Sequence, residues 1–143
     1  MQLSQVDYRK LNIAALVLML NTACAVGQDF STNCFATGIE GGCGSFIDTF
    51  CETGSAISVV APQDTASHCF NAPGLGFHCD FTSFNIVGST SVNSDTANCE
   101  IVLGAIAEDC PMGGRGSFVG GAFQFSLDPN EGACASDPGS NQD

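Results

Sequence analysis

Strands lying between two helices in a cysteine-rich chain predict a small α+β domain with an antiparallel sheet, stapled by disulfides. Two periodicities and a count lead to that expectation. Phe77, Cys79 and Phe81 alternate with His78, Asp80 and Thr82, the period of a half-buried strand. Cys99, Val102, Leu103, Ile106 and Cys110 recur at helical spacing and make one apolar stripe. Nine cysteines in 143 residues exceed what a reducing compartment usually holds. The length is that of one domain, and no linker divides it.

The first segment reads as an address. Arg9 and Lys10 precede the apolar run from Leu11 to Leu20, and Ala23-Cys24-Ala25 has the small-x-small form of a cleavage site. The run is about ten residues, against the roughly 20 that a spanning helix needs. Residues 1–25 are therefore expected to be a secretory signal peptide, 26–134 a single domain and 135–143 a disordered tail. Cleavage removes Cys24 and leaves Cys34, Cys43, Cys51, Cys69, Cys79, Cys99, Cys110 and Cys134. An odd count becomes even, as four disulfides in a secreted, extracellular protein require. Eight cysteines allow about a hundred connectivities, so spacing leaves the pairing open. Cys99 and Cys110 lie roughly 16 Å apart along one helix and must pin it to different segments.

Charge narrows the partners. The chain carries 15 acidic against three basic residues, a net charge of −12. Loss of the leader takes Arg9 and Lys10 and leaves Arg115 as the one Lys or Arg. Such a chain is expected to bind no nucleic acid and to insert in no membrane. With almost no ion pairs to break, the fold is expected to tolerate pH 3–4. A hydrophobic content of 44% excludes a disordered acidic tail protein.

The elements follow in order. Residues 26–33 read as a polar lead-in. In 41–51, Cys43, Phe46, Ile47, Phe50 and Cys51 share one side at helical spacing, a short helix weakened by its glycines. Ala56–Val60 and Ser67–Asn71 read as strands, with Pro62-Gln63-Asp64 turning between them. After the 72–76 loop comes the strand from Phe77. Phe84 and Ile86 break its phase, which predicts a bulge near Ser83. A loop at 88–93 leads to the helix of 95–110, with Ser94 or Asn93 as N-cap and Pro111 as its stop. Gly113 to Gly116 read as a turn, Phe123–Leu127 as the last strand, and Asp128 to Gly132 as a final turn.

Catalytic chemistry finds little to use. His68-Cys69 and His78-Cys79 have the look of metal ligands, but bridged thiols are not thiolates, so no metal site and no cofactor are expected. His78 and Asp80 share a strand face and could form an acid–base pair, and a solvated face accounts for them equally. Glu108-Asp109 ends a helix, where negative charge is mildly unfavourable. The MGGRGS turn lacks the Gly-Lys-Ser/Thr of a phosphate loop, and there is no Gly-x-Ser-x-Gly elbow. No Asn-x-Ser/Thr sequon occurs.

One ordered set of residues resembles a known family. Cys34-Phe35, Phe50-Cys51, Cys69-Phe70-Asn71, Cys99 with Cys110, Gly113-Gly114 and Asp128-Pro129-Asn130 with Gly132 and Cys134 are similar to the fungal glycan-binding "Y-three"-like family, named for an ink-cap lectin. The resemblance covers about residues 34–134. It implies an αβα sandwich with a central antiparallel sheet, no enzymatic activity and glycans with N-acetylhexosamine units as ligands. Cys43 and Cys79 fall outside the six-cysteine set and are expected to bond to each other. Gly113, Gly114, Arg115, Asp128 and Asn130 are the expected ligand-binding residues: backbone N–H groups and a guanidinium fork suit sugar hydroxyls or an acetamido carbonyl. Without its leader the chain has no Trp or Tyr, so phenylalanine is the one aromatic left for sugar stacking. The alternative is a secreted fungal effector or toxin-like protein acting on a host or competitor protein. An exposed Phe beside convergent polar groups would mark a sugar site, and a broad apolar patch a protein partner.

Overall fold

The structure, a computed structural model, describes residues 29–53 and 58–135. The expected signal peptide, the Ala56-Ile57 start of one strand and the tail beyond Ala135 lie outside the described residues. Strands are β1 (Phe30–Cys34), β2 (Val59–Val60), β3 (Thr65–Asn71), β4 (Phe77–Asn85), β5 (Val92–Asn93), β6 (Gly114–Phe118) and β7 (Phe123–Glu131). Helices are α1 (Ile47–Glu52), entered through a 3-10 turn at Gly44–Phe46, and α2 (Thr96–Asp109). Five strands form one antiparallel sheet in the order β1-β6-β7-β4-β3, while β2 and β5 make a separate small ribbon.

The α+β class with an antiparallel sheet stands. Alternation decides what faces the core: Cys79, Phe81, Phe125 and Leu127 are buried and share one cluster with Phe50 of α1 and Val102, Leu103 and Ile106 of α2. Phe81 meets Phe50 at 5.3 Å and Phe70 at 5.5 Å between ring centroids, so aromatic edges and faces fill the helix–sheet interface. Both described helices therefore lie on the same side of the sheet. Of the αβα stacking, the described residues hold one helical layer and the sheet.

Several local expectations change. The first helix begins at a 3-10 turn, as its glycines would suggest, and reaches Glu52. The N-cap of α2 is neither Ser94 nor Asn93 but Asp95, whose Oδ1 accepts the Asn98 N–H at 2.9 Å. The lead-in contains β1, and the glycine turn is strand β6. No bulge interrupts β4: its register against β7 runs unbroken from Phe77 opposite Glu131 to Asn85 opposite Phe123. Ser83 and Asn85 are the buried residues there, and Ile86 is exposed. Asp128 to Glu131 continue β7 instead of turning, and the turn comes at Gly132 with φ +86°. Pro129 is tolerated because β6 ends at Gly114, opposite Leu127. Beyond that point, the side of β7 away from β4 has no strand waiting for an N–H.

Four disulfides lock these layers. Cys43–Cys79 ties the first helical turn to β4, as expected. Cys51–Cys99 joins α1 to α2, and Cys34–Cys110 joins β1 to the end of α2. Cys69–Cys134 closes β3 onto the segment after β7. Each typically adds about 2–4 kcal/mol.

Candidate functional site

Among the described residues both helices cover one side of the sheet, and the other side is largely polar and reached by solvent. Pairing fixes its rows. His78, Asp80, Thr82 and Phe84 of β4 stand opposite Asn130, Asp128, Ser126 and Gln124 of β7. Arg115 of β6 lies between Ser126 and Asn33 of β1. Every side chain on one row points the same way, because directly opposed residues share a face.

Hydrogen bonds organise the end nearest Gly132. The Asn130 Nδ2 donates to Asp80 Oδ2 at 3.0 Å and to the Asp128 carbonyl at 3.4 Å. His78 Nε2 lies 3.2 Å from the same Asp80 oxygen, and its Nδ1 lies 3.2 Å from the Gly132 carbonyl. The chain after β7 thus folds back across β4 on its way to Cys69. His78 is largely covered at 15% exposure, while Asp80 keeps 43% of its side chain in solvent. Next along the face, the Thr82 and Ser126 hydroxyls share a hydrogen bond of 2.6 Å.

The five expected ligand residues divide into two groups. Arg115, Asp128 and Asn130 all fall on this face. Arg115 is exposed and Asp128 and Asn130 half-buried. Gly113 and Gly114 are buried beneath it. Gly113 has φ +78°, and a Cβ there would stand 2.3 Å from the Leu127 carbonyl oxygen. Its N–H donates to Cys110 and its carbonyl accepts from Phe35. Both glycines let backbones meet closely, and so place Arg115 beside β7.

His78 and Asp80 belong with Asn130, although 50 residues separate Asp80 from Asn130. Strand alternation alone puts them on an outward face. Their junction with Asn130 needs the β4–β7 register. Ligand atoms of Cys69, His78 and Asp80 come within 4.8 Å of one another. Cys69 is bonded to Cys134, so this trio offers an imidazole and a carboxylate but no thiolate, a poor donor set for zinc.

This small stapled domain carries a face of amides, hydroxyls, carboxylates and one guanidinium, groups that can exchange hydrogen bonds with neutral, hydroxyl-rich ligands. The comparisons carry this to a family. The family model of the glycan binding domain Y3 matches residues 42–134, and the chain belongs to that family. It is also 40% identical over 95 residues to "Antiviral protein CAP" of Coprinus comatus, a stretch covering 65% of this chain and 91% of that protein. No helix among the described residues is long and apolar enough to cross a membrane.

Proposed function

We propose that this is a secreted, non-enzymatic lectin whose ligands carry N-acetylhexosamine units and dock on the open sheet face. Family membership over residues 42–134 is the observation that carries the reading. The face supplies matching chemistry. Among the described residues, the Arg115 guanidinium and the Asp128 carboxylate have no hydrogen-bond partner in the protein. Arg115 donates to an acetamido carbonyl, and Asp128 accepts from sugar hydroxyls. Asn130 is held by Asp80 through its Nδ2, which leaves its Oδ1 as a positioned acceptor. Gly113 and Gly114 contribute by setting the backbone beneath these groups.

A glycan array with the oxidised protein of residues 26–143, at pH 5 and pH 7, tests this. Binding to N-acetylhexosamine-containing glycans is expected, and Asn130→Ala or Arg115→Ala should weaken it about tenfold, the worth of one good polar contact. A blank array from folded, thiol-free protein sinks the reading. The relative's name as an antiviral protein favours a second reading, in which the chain meets a foreign surface protein. Such a partner would still be captured after enzymatic deglycosylation, whereas a glycan ligand would be lost.

A further inference from the structure

We propose that Phe84 is a sugar-stacking residue at the far end of the open face, and that the ligand is an oligosaccharide long enough to reach it. The proposal rests on the glycan-binding reading and deepens it, because it names a subsite and a length of ligand.

The last residues of β4 run against the usual pattern. Ser83 and Asn85 are buried on the helical side, while Phe84 and Ile86 point away from the core. The Asn85 side chain holds this phase through three hydrogen bonds from Nδ2 and one to Oδ1. A one-residue slip would bring the phenylalanine inside and turn the asparagine to water. The register instead leaves an aromatic ring on a face that no described helix covers. Most of the phenylalanines belong to the core or pack against it, and Phe84 does neither. It is half-buried, and its ring meets no other aromatic ring among the described residues. Ile86 is 42% exposed, so this end of the face is apolar as well as open.

The neighbours are neutral and form hydrogen bonds. Strand pairing sets one row across the sheet: Ser31, Ser117, Gln124, Phe84 and Thr65. No member of it is charged, which favours a neutral ligand over an ion. The Gln124 carboxamide and the Thr65 hydroxyl belong to the residues on either side of Phe84, and neither has a hydrogen-bond partner among the described residues. A pyranose has an apolar C–H face and a rim of hydroxyls that both donate and accept. An aromatic ring with an amide on one side and a hydroxyl on the other meets both features.

Position sets the length. Gln124, opposite Phe84, stands four residues before Asp128 and six before Asn130 on β7. At about 3.3 Å per residue these are separations of roughly 13 and 20 Å. A single sugar ring cannot span them. A short chain lying along β4 and β7 places one ring on Phe84 and its far end at Asp128 and Asn130.

The sequence contains no tryptophan, so Phe84→Trp puts a single fluorescent reporter at the subsite. The full disulfide-bonded protein is titrated with N-acetylglucosamine and with tetra-N-acetylchitotetraose, by calorimetry for the unaltered chain and by emission for the variant. The tetrasaccharide should bind about tenfold more tightly than the monosaccharide and should change the Phe84→Trp emission. Phe84→Ala should lose that gain and keep the thermal midpoint, since the ring is no part of the core. Should the alanine variant fold poorly, the tryptophan emission decides. Tetrasaccharide binding with silent emission overturns the subsite and leaves the lectin reading intact. An emission change that follows protein concentration without sugar overturns it in favour of contact between two copies. Failure of the folded protein to bind either saccharide also overturns the subsite, and the glycan array then decides separately whether the lectin reading stands.

Discussion

Ser83 and Asn85 sit two residues apart on the buried side of β4 and differ sharply in how they are satisfied. The Asn85 Nδ2 donates to the carbonyls of Val60, Ala61 and Thr90, and its Oδ1 accepts the Val87 N–H. One side chain thereby ties the β2 segment and the 86–92 loop to the sheet. Asn85→Ala should cost about 2–3 kcal/mol, because it leaves carbonyls and an N–H without partners. The Ser83 hydroxyl is fully buried and has no partner among the described residues. Ser83→Ala should be neutral or stabilise by up to about 1 kcal/mol, since no hydrogen bond is lost. Guanidinium unfolding with disulfides intact measures both, and equal losses would show that Ser83 is not idle. Hydrophobic periodicity is blind to this pair. It sends Phe84 and Ile86 inward through a bulge, whereas cross-strand hydrogen bonding keeps the register and buries two polar residues instead.

At the scale of elements, the central question is why β6 can be a strand at all. Gly114-Arg115-Gly116 has no apolar alternation and reads locally as a turn. Its glycines answer a tertiary demand. A Cβ on Gly116 would stand 2.8 Å from both the Ser31 carbonyl oxygen and Val102 Cγ1, so β1 and α2 close in on the strand there. Gly116→Ala should destabilise the domain by roughly 1–3 kcal/mol, seen as a lowered thermal midpoint. An unchanged midpoint would mean that α2 shifts freely. The disulfides also differ by place. Cys51 and Cys99 are fully enclosed, and Cys43 and Cys79 nearly so, while Cys69 and Cys134 are half-exposed. Under mild thiol reduction, alkylation and mass spectrometry should find Cys69–Cys134 open before Cys43–Cys79 or Cys51–Cys99, because exchange needs access to sulfur. Simultaneous opening of all three would indicate global unfolding first.

Across the whole molecule, charge sets the behaviour in solution. Among the described residues, Arg115 joins no ion pair, and the one basic side chain against a carboxylate is His78, whose Nε2 lies 3.2 Å from Asp80. Acid therefore breaks no Arg–carboxylate bridge, and it lowers the self-repulsion of a chain at −12. The thermal midpoint should hold between pH 7 and pH 4, and a sharp fall would contradict this. Glycan binding should change little between low and high salt, since a neutral ligand has no charge to screen. A basic protein partner would instead be lost as salt rises.

Counting and local period already convey much of this protein. Cysteine parity after Cys24 led to four disulfides, and the stripe from Cys99 to Cys110 led to α2. Alternation from Phe77 led to the start of β4, and the resemblance led to Cys43–Cys79 and to the Y3 family. Residue chemistry alone makes Arg115, Asp128 and Asn130 candidate ligand residues, and the strand register places them on one face. Three of the four disulfide pairings, the strand order and the meeting of His78 and Asp80 with Asn130 all waited for the fold. These depend on which distant strands exchange hydrogen bonds and which backbones close to within a glycine of each other. Those contacts join residues tens of positions apart, and no local repeat encodes them.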